Sequence, residues 1–176
     1  MANPETFAAI GVNAPNSGAA ERTRRSWTAL LAFCMLCIVG GAASGLATPP
    51  GAWYQSLAKP TWTPPPWLFG PVWTVLYIMI GVAGWLLWSE RKRPAGRRAF
   101  TLFAIQLALN FAWTPVFFGL HAPGPAFVVI ITLLACIVAT ITIAWPVTRA
   151  ASLLLLPYAA WVCFASALNF ALWRLN

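Results

Sequence analysis

Three acidic residues in a chain of 176, Glu5, Glu21 and Glu90, and one histidine, His121, leave little material for ionic chemistry. Paired-carboxylate hydrolysis needs two carboxyl groups flanking a bond, a Ser-His-Asp triad needs an acid behind its imidazole, and a His-rich metal site needs several imidazoles. The chain lacks those parts. Charge of either sign is scarce: 8% of residues are Asp, Glu, Lys or Arg, while 60% are hydrophobic and the mean hydropathy is +0.74. A water-soluble fold of this size cannot cover itself with so few charges. Cysteine is sparse too, and Cys34, Cys37, Cys136 and Cys163 all fall in apolar stretches, which argues against a disulfide framework. Cys34-x-x-Cys37 has redox or metal-like spacing. With no second pair and no supporting histidine, it reads as two small packing residues one helical turn apart.

Long apolar runs are what the chain has instead. Five of them approach the roughly 20 residues that cross a bilayer as helix, at about 27–48, 71–89, 99–119, 125–145 and 150–174. The expectation is an all-α integral membrane protein, a five-transmembrane-helix bundle with no separate soluble domain. Residues 1–26 mix Ala, Gly, Asn and Pro without apolar periodicity and read as a disordered basic tail. The first run is long enough to span and carries Gly41-x-x-x-Gly45, which suits helix packing better than removal as a signal peptide. Between the first two spans, residues 49–70 hold six prolines with Trp53, Tyr54, Trp62, Trp67 and Phe69. Proline stops helix there while the rings resist free solvation, so an ordered loop lying over the membrane-embedded part, a lid, is expected. Pro71 suits the first position of the second helix, and Pro157 should kink the fifth near its start.

The net charge of +8 is confined to short blocks between apolar runs. That placement sets topology rather than nucleic-acid binding. Arg22, Arg24, Arg25, Arg91, Lys92, Arg93, Arg97, Arg98 and Arg149 fall on one side, Lys59 and Arg174 on the other. The bias puts the N-terminus in the cytoplasm and the Pro/Trp loop and C-terminus outside. Trp27, Trp85, Trp88, Trp145 and Trp173, near span ends, read as interfacial belt residues, and the isolated His121 reads the same way rather than as a haem ligand.

The helix faces locate a pocket. On the third span Gln106, Asn110 and Trp113 share one face, while Ala104, Ala108 and Ala112 form a small-residue stripe on the other. Amides in hydrocarbon need partners, so the first face should point into the bundle, either as interhelical glue or as ligand contacts. The stripe would let another helix approach closely, in the same subunit or a second one. On the fifth span Tyr158, Trp161, Ala165 and Asn169 form one stripe, with Ala165 leaving a gap. Trp73 and Tyr77 share a side of the second span, and Ser44 lies at the outer end of the first. Together these faces would line an aromatic pocket open towards the external loop, favouring a flat, largely apolar molecule whose polar edge is oriented by indole N–H, phenol and amide groups. Lys59 and Arg174 would reach carboxylates at its mouth.

The motifs Trp53-Tyr54, Leu57-Ala58-Lys59-Pro60, Trp62-Thr63-Pro64-Pro65 and Gly70-Pro71-Val72-Trp73-Thr74 resemble the first half of the tryptophan-rich sensory protein family, the TspO/translocator protein group related to the peripheral benzodiazepine receptor. Gln106 through Phe118 and Pro157-Tyr158-x-x-Trp161 through Phe170 are similar to its other two blocks. The resemblance covers about residues 27–176. It implies a five-helix bundle, commonly homodimeric, that binds tetrapyrroles such as protoporphyrin IX and hydrophobic ligands including benzodiazepine-site compounds and sterols, with no obligatory cofactor and no metal. By position the family's pocket would include Ser44, Trp53, Tyr54, Trp73, Asn110, Trp113, Trp161 and Ala165. The resemblance also implies an alternative activity, light-dependent porphyrin breakdown, through Trp73 and Trp161. A sterol-binding translocator is a further alternative, weakened because Phe170 stands where the family's sterol pattern has tyrosine.

Overall fold

The computed structural model describes residues 17–176, with side chains from residue 26 onward. The first sixteen residues of the expected tail, and the side chains of Arg22, Arg24 and Arg25, lie outside the described residues. Six α-helices follow one another: α1 (Ser17–Ala47), α2 (Ala52–Ser56), α3 (Pro66–Ser89), α4 (Pro94–Thr114), α5 (Pro123–Ala144) and α6 (Arg149–Leu175). All but the short α2 are long and apolar enough to cross a membrane. The chain is a five-span helical membrane protein. α1 packs against α3 and α4, α4 against α5, α5 against α6, and α6 back against α3, which closes a ring.

Several boundaries differ from the sequence expectation for local reasons. α1 begins at Ser17, ten residues before Trp27, because Ala19, Ala20, Glu21, Arg22, Arg24 and Arg25 are compatible with helix and carry the first turns ahead of the span proper, which starts at Ser26. α3 starts at Pro66, not Pro71. Pro66 occupies the first turn, where a missing N–H costs nothing, and Pro71 is carried inside the helix. The expected loop therefore shrinks to residues 48–65 and itself contains α2. Pro157 likewise sits within a continuous α6.

Pro115 ends α4 in an instructive way. Its missing N–H deprives the carbonyl of Phe111 of the usual i+4 donor, and the chain continues as a π-helical turn over Pro115–Gly119, with Leu120 N–H donating to the Pro115 carbonyl at 2.9 Å. The freed Phe111 carbonyl accepts instead from the hydroxyl of Ser44 on α1 at 2.8 Å. The turn into α5 passes through His121, whose φ of 52° is left-handed, a region in which histidine is enriched.

Glycine sets the seam between α1 and its neighbours. A Cβ at Gly81 would come within 2.7 Å of the Cys34 backbone, and one at Gly41 would overlap the ring of Tyr77. The Gly41-x-x-x-Gly45 pair is split in function. Gly41 admits Tyr77, whereas Gly45 has open space before it and faces a cavity. Cys37 is buried in the α1 seam and all four cysteines are free thiols.

The helices alternate in direction, so two ends differ in chemistry. One carries Arg91, Lys92, Arg93, Arg97, Arg98 and Arg149, with Arg91 stacked 3.7 Å from the Trp88 ring and Arg93 paired to Glu90 at 3.3 Å. The other carries the segment 48–65, the π turn and the end of α6. The cavity opens at this second end.

Candidate ligand cavity

A cavity of about 1050 Å³ lies between the helices at the end opposite the arginines. That is at the top of the roughly 300–1,000 Å³ typical of small-molecule sites. Trp73 and Tyr77 of α3, Asn110 and Trp113 of α4, and Trp161 and Ala165 of α6 form its inner wall, and Tyr54 and Lys59 belong to the segment that roofs it. Pro50 and Thr63 to Pro66 complete the roof. Among the described residues that line it, only Lys59 bears a charge and none is a carboxylate.

The walls are built from rings in fixed contact. Trp73 stacks on Tyr77 with centroids 5.1 Å apart, and Phe69 meets Trp161 edge-on at 5.9 Å. At the floor, Tyr77 Oη donates to Asn110 Oδ1 at 3.0 Å, while Asn110 Nδ2 donates to the hydroxyl of Tyr158 at 3.0 Å. One amide thus joins α3, α4 and α6 while using one of its two N–H groups. Trp113 Nε1 donates to Asn169 Oδ1 at 3.0 Å, and Asn169 Nδ2 donates to the Pro123 carbonyl at 2.8 Å, which fixes the indole plane against the cavity.

The roof is held by ring contacts and by hydrogen bonds to the end of α6, and Tyr54 meets Phe118 edge-on at 5.2 Å. Trp53 stacks on His121 at 4.4 Å and meets Phe117 edge-on at 5.7 Å. Trp62 meets Phe164 of α6 at 5.8 Å. Between them Ala58 is hydrogen-bonded to Asn176, just past α6. Lys59 Nζ donates to the carbonyls of Gln55 and Leu57, both at 3.1 Å, and lies 4.9 Å from the Tyr54 ring centre. Burial pushes the Tyr54 phenol above its ordinary value of 10.0, so it remains a neutral hydroxyl through the physiological range.

The sequence-derived site divides into lining and supporting residues. Tyr54, Lys59, Trp73, Tyr77, Asn110, Trp113, Trp161 and Ala165 meet at the cavity. Six others do not line it. Ser44 is spent on the Phe111 carbonyl, Trp53 on His121, and Tyr158 and Asn169 stand behind Asn110 and Trp113. Gln106 is fully buried one turn beyond Asn110, away from the roof, and its amide atoms have no partner among the described residues. Arg174, in the last turn of α6, also lies off the cavity. Sequence reasoning missed the α1 wall of Ile38, Gly41, Ala42 and Gly45, and Ile130 and Leu133 of α5. Those are plain aliphatic or small residues, with no polar or aromatic group to mark them among other lipid-compatible positions.

Residues 33–174 match the TspO/MBR family. The chain belongs to that family. Among TspO/MBR relatives, it is 46% identical over 150 residues to the tryptophan-rich protein TspO of Chlorobaculum tepidum, covering 83% of this chain and 95% of the relative. It is 38% identical to protein CrtK of Rhodobacter capsulatus, covering 86% and 94% respectively. The human translocator protein is 42% identical over 127 residues, 70% of this chain and 75% of the relative. TspO/MBR membership and five apolar helices together make this an integral multi-pass membrane protein.

Proposed function

We propose that this TspO/MBR protein binds a flat, largely apolar tetrapyrrole of the protoporphyrin IX type in the roofed cavity, and through that binding senses or moves porphyrin. The observation that carries the reading is the pairing of ring-built walls with a single cation at the roof. Indoles stack on a macrocycle face, Asn110 offers one unspent N–H to a polar edge, and Lys59 attracts a peripheral carboxylate. The described lining residues include a lysine and no carboxylate, which favours an anionic guest over a cationic one.

Titration of the purified protein with protoporphyrin IX, followed by tryptophan fluorescence, tests this. Trp161→Phe is expected to weaken quenching, because Trp161 lines the wall. An unchanged titration overturns the role of Trp161, and no quenching in the parent protein overturns the reading.

A second reading, porphyrin breakdown under light, is favoured by Trp73 and Trp161 both lining the cavity, where an excited macrocycle would contact oxidisable indoles. Illumination of the complex in air separates the two: a retained porphyrin spectrum supports binding alone, and its loss only with both indoles present supports breakdown. A sterol site at the end of α6 has less support. Phe170 faces outward and packs on Phe127 at 5.3 Å, with no hydroxyl to offer.

We also propose a homodimer through α4, where Ala104, Ala108 and Ala112 are exposed along one face. The clustering of cations at the end opposite the cavity supports an orientation with that end cytoplasmic and the roof external.

A further inference from the structure

Lys59 is the lone charge among the described residues that line the cavity, and its usefulness depends on being held still. Two of its three ammonium hydrogens go to the carbonyls of Gln55 and Leu57, within the roof itself, and the third is unspent. The roof between α2 and α3 is stiffened by prolines but has little hydrogen bonding to the bundle. Among the described residues, the only hydrogen bonds that tie it to another helix end converge on Ala58, the residue before Lys59. Ala58 N–H donates to Asn176 Oδ1 at 2.9 Å, and Asn176 Nδ2 donates to the Ala58 carbonyl at 3.1 Å. Asn176 Nδ2 also donates to the Leu172 carbonyl at 2.9 Å, which anchors the amide on the last turn of α6. A primary amide has both the donor and the acceptor that a peptide unit requires, so Asn176 pairs with Ala58 as a neighbouring strand would. The flanking contacts of Trp53 and Trp62 are ring contacts and fix no backbone register.

We propose that Asn176 is a positioning residue for ligand selection. It clasps the roof beside Lys59, holds the ammonium at the cavity mouth, and so favours guests that carry a carboxylate over neutral guests of the same shape. The inference rests on the tetrapyrrole reading above and adds to it a residue outside the cavity, contributed by the end of α6.

Two substitutions grade the clasp. Asn176→Ala removes both hydrogen bonds to Ala58, and Asn176→Asp retains only the one that accepts from Ala58 N–H. Asn176 is exposed, so neither is expected to disturb the bundle. The ligands are protoporphyrin IX and its dimethyl ester, which share a macrocycle and differ in charge. The parent protein should prefer the diacid, and Lys59→Gln should abolish that preference. Asn176→Ala should weaken diacid binding about three- to tenfold, the loss expected for a hydrogen-bond-sized effect, and leave ester binding unchanged. Asn176→Asp should weaken diacid binding at least as much, because its second carboxylate oxygen faces the Ala58 and Leu172 carbonyls, which the Asn176 amide N–H groups satisfied, and its charge repels the carboxylates of the diacid. In the ligand-free protein, amide hydrogen exchange at Ala58 should accelerate in Asn176→Ala, a change that loss of a ligand contact would not produce. A parent protein that binds neither ligand, or both equally, overturns the cavity reading and the inference with it. A parent that prefers the diacid while Asn176→Ala keeps the full preference, or keeps slow exchange at Ala58, overturns the role of Asn176 alone.

Discussion

The hydroxyl of Ser44 on α1 donates to the carbonyl of Phe111 on α4 at 2.8 Å, the same carbonyl that Pro115 leaves without its helical donor. Proline and serine, far apart in sequence, thereby form one device. The first creates an orphaned acceptor within the membrane-spanning part and the second satisfies it. Ser44→Ala should remove that partner and lower stability by about 1–2 kcal/mol, the upper range of interhelical hydrogen bonds in membranes. Thermal unfolding in detergent or lipid measures it. Porphyrin affinity should be unaffected, because Ser44 does not line the cavity. A loss of affinity without a loss of stability would return Ser44 to the ligand site.

Ala165 lines the cavity between Trp161 and the roof-facing end of α6, where a small side chain preserves room for a guest. Ala165→Phe should fill that room and reduce protoporphyrin IX affinity at least about tenfold, equivalent to about 1.4 kcal/mol. Its helicity and melting temperature should stay close to those of the parent. Equal affinity in the quenching titration would place the macrocycle elsewhere.

Gly81 meets the backbone of Cys34, and an added Cβ would come within 2.7 Å of its Cα. Backbone cannot rotate away as a side chain can, so Gly81→Ala must push α1 off α3. The expected cost is about 1–3 kcal/mol, as for overpacked cores, read as a lower unfolding temperature. Gly45→Ala, with open space before its Cβ, is the matched control and should be tolerated.

Ala108→Leu places a large side chain on the exposed alanine face of α4. If that face joins two copies, the substitution should lower the dimer fraction in detergent or lipid, measured by light scattering or cross-linking. An unchanged fraction would direct attention to α1.

The fold was legible because hydrophobic run length and the placement of Arg and Lys are direct consequences of the bilayer as solvent. The cavity was legible where it uses unusual residues. Trp73, Tyr77, Asn110, Trp113 and Trp161 cannot be indifferent to their surroundings in a hydrocarbon setting, and all five line it. Gln106 shows where that logic stops. It shares the face of Asn110, yet one helical turn of about 5.4 Å carries it past the cavity floor into the packed interior. Periodicity gives the angle around a helix and not the depth at which a cavity ends. Ser44, Tyr158 and Asn169 form hydrogen bonds with partners 46 to 67 residues away along the chain, and Trp53 stacks on His121, contacts that the periodicity of one helix does not reveal. The start of α3 is not legible in the sequence, because Pro66 and Pro71 are both acceptable near a helix start and only the surrounding packing chooses between them.

α1 differs from the other spans in how it is attached. Within its membrane segment Cys37 alone is buried, and beyond the Ser44–Phe111 hydrogen bond the helix leans on its neighbours through glycine backbone and ring faces. A partition fastened that lightly is the first to give way when surrounding lipid is replaced by detergent. If the chamber holds the proposed porphyrin, it should lose it through the α1 flank during solubilisation, and extraction in lipid discs should recover more pigment than extraction in micelles.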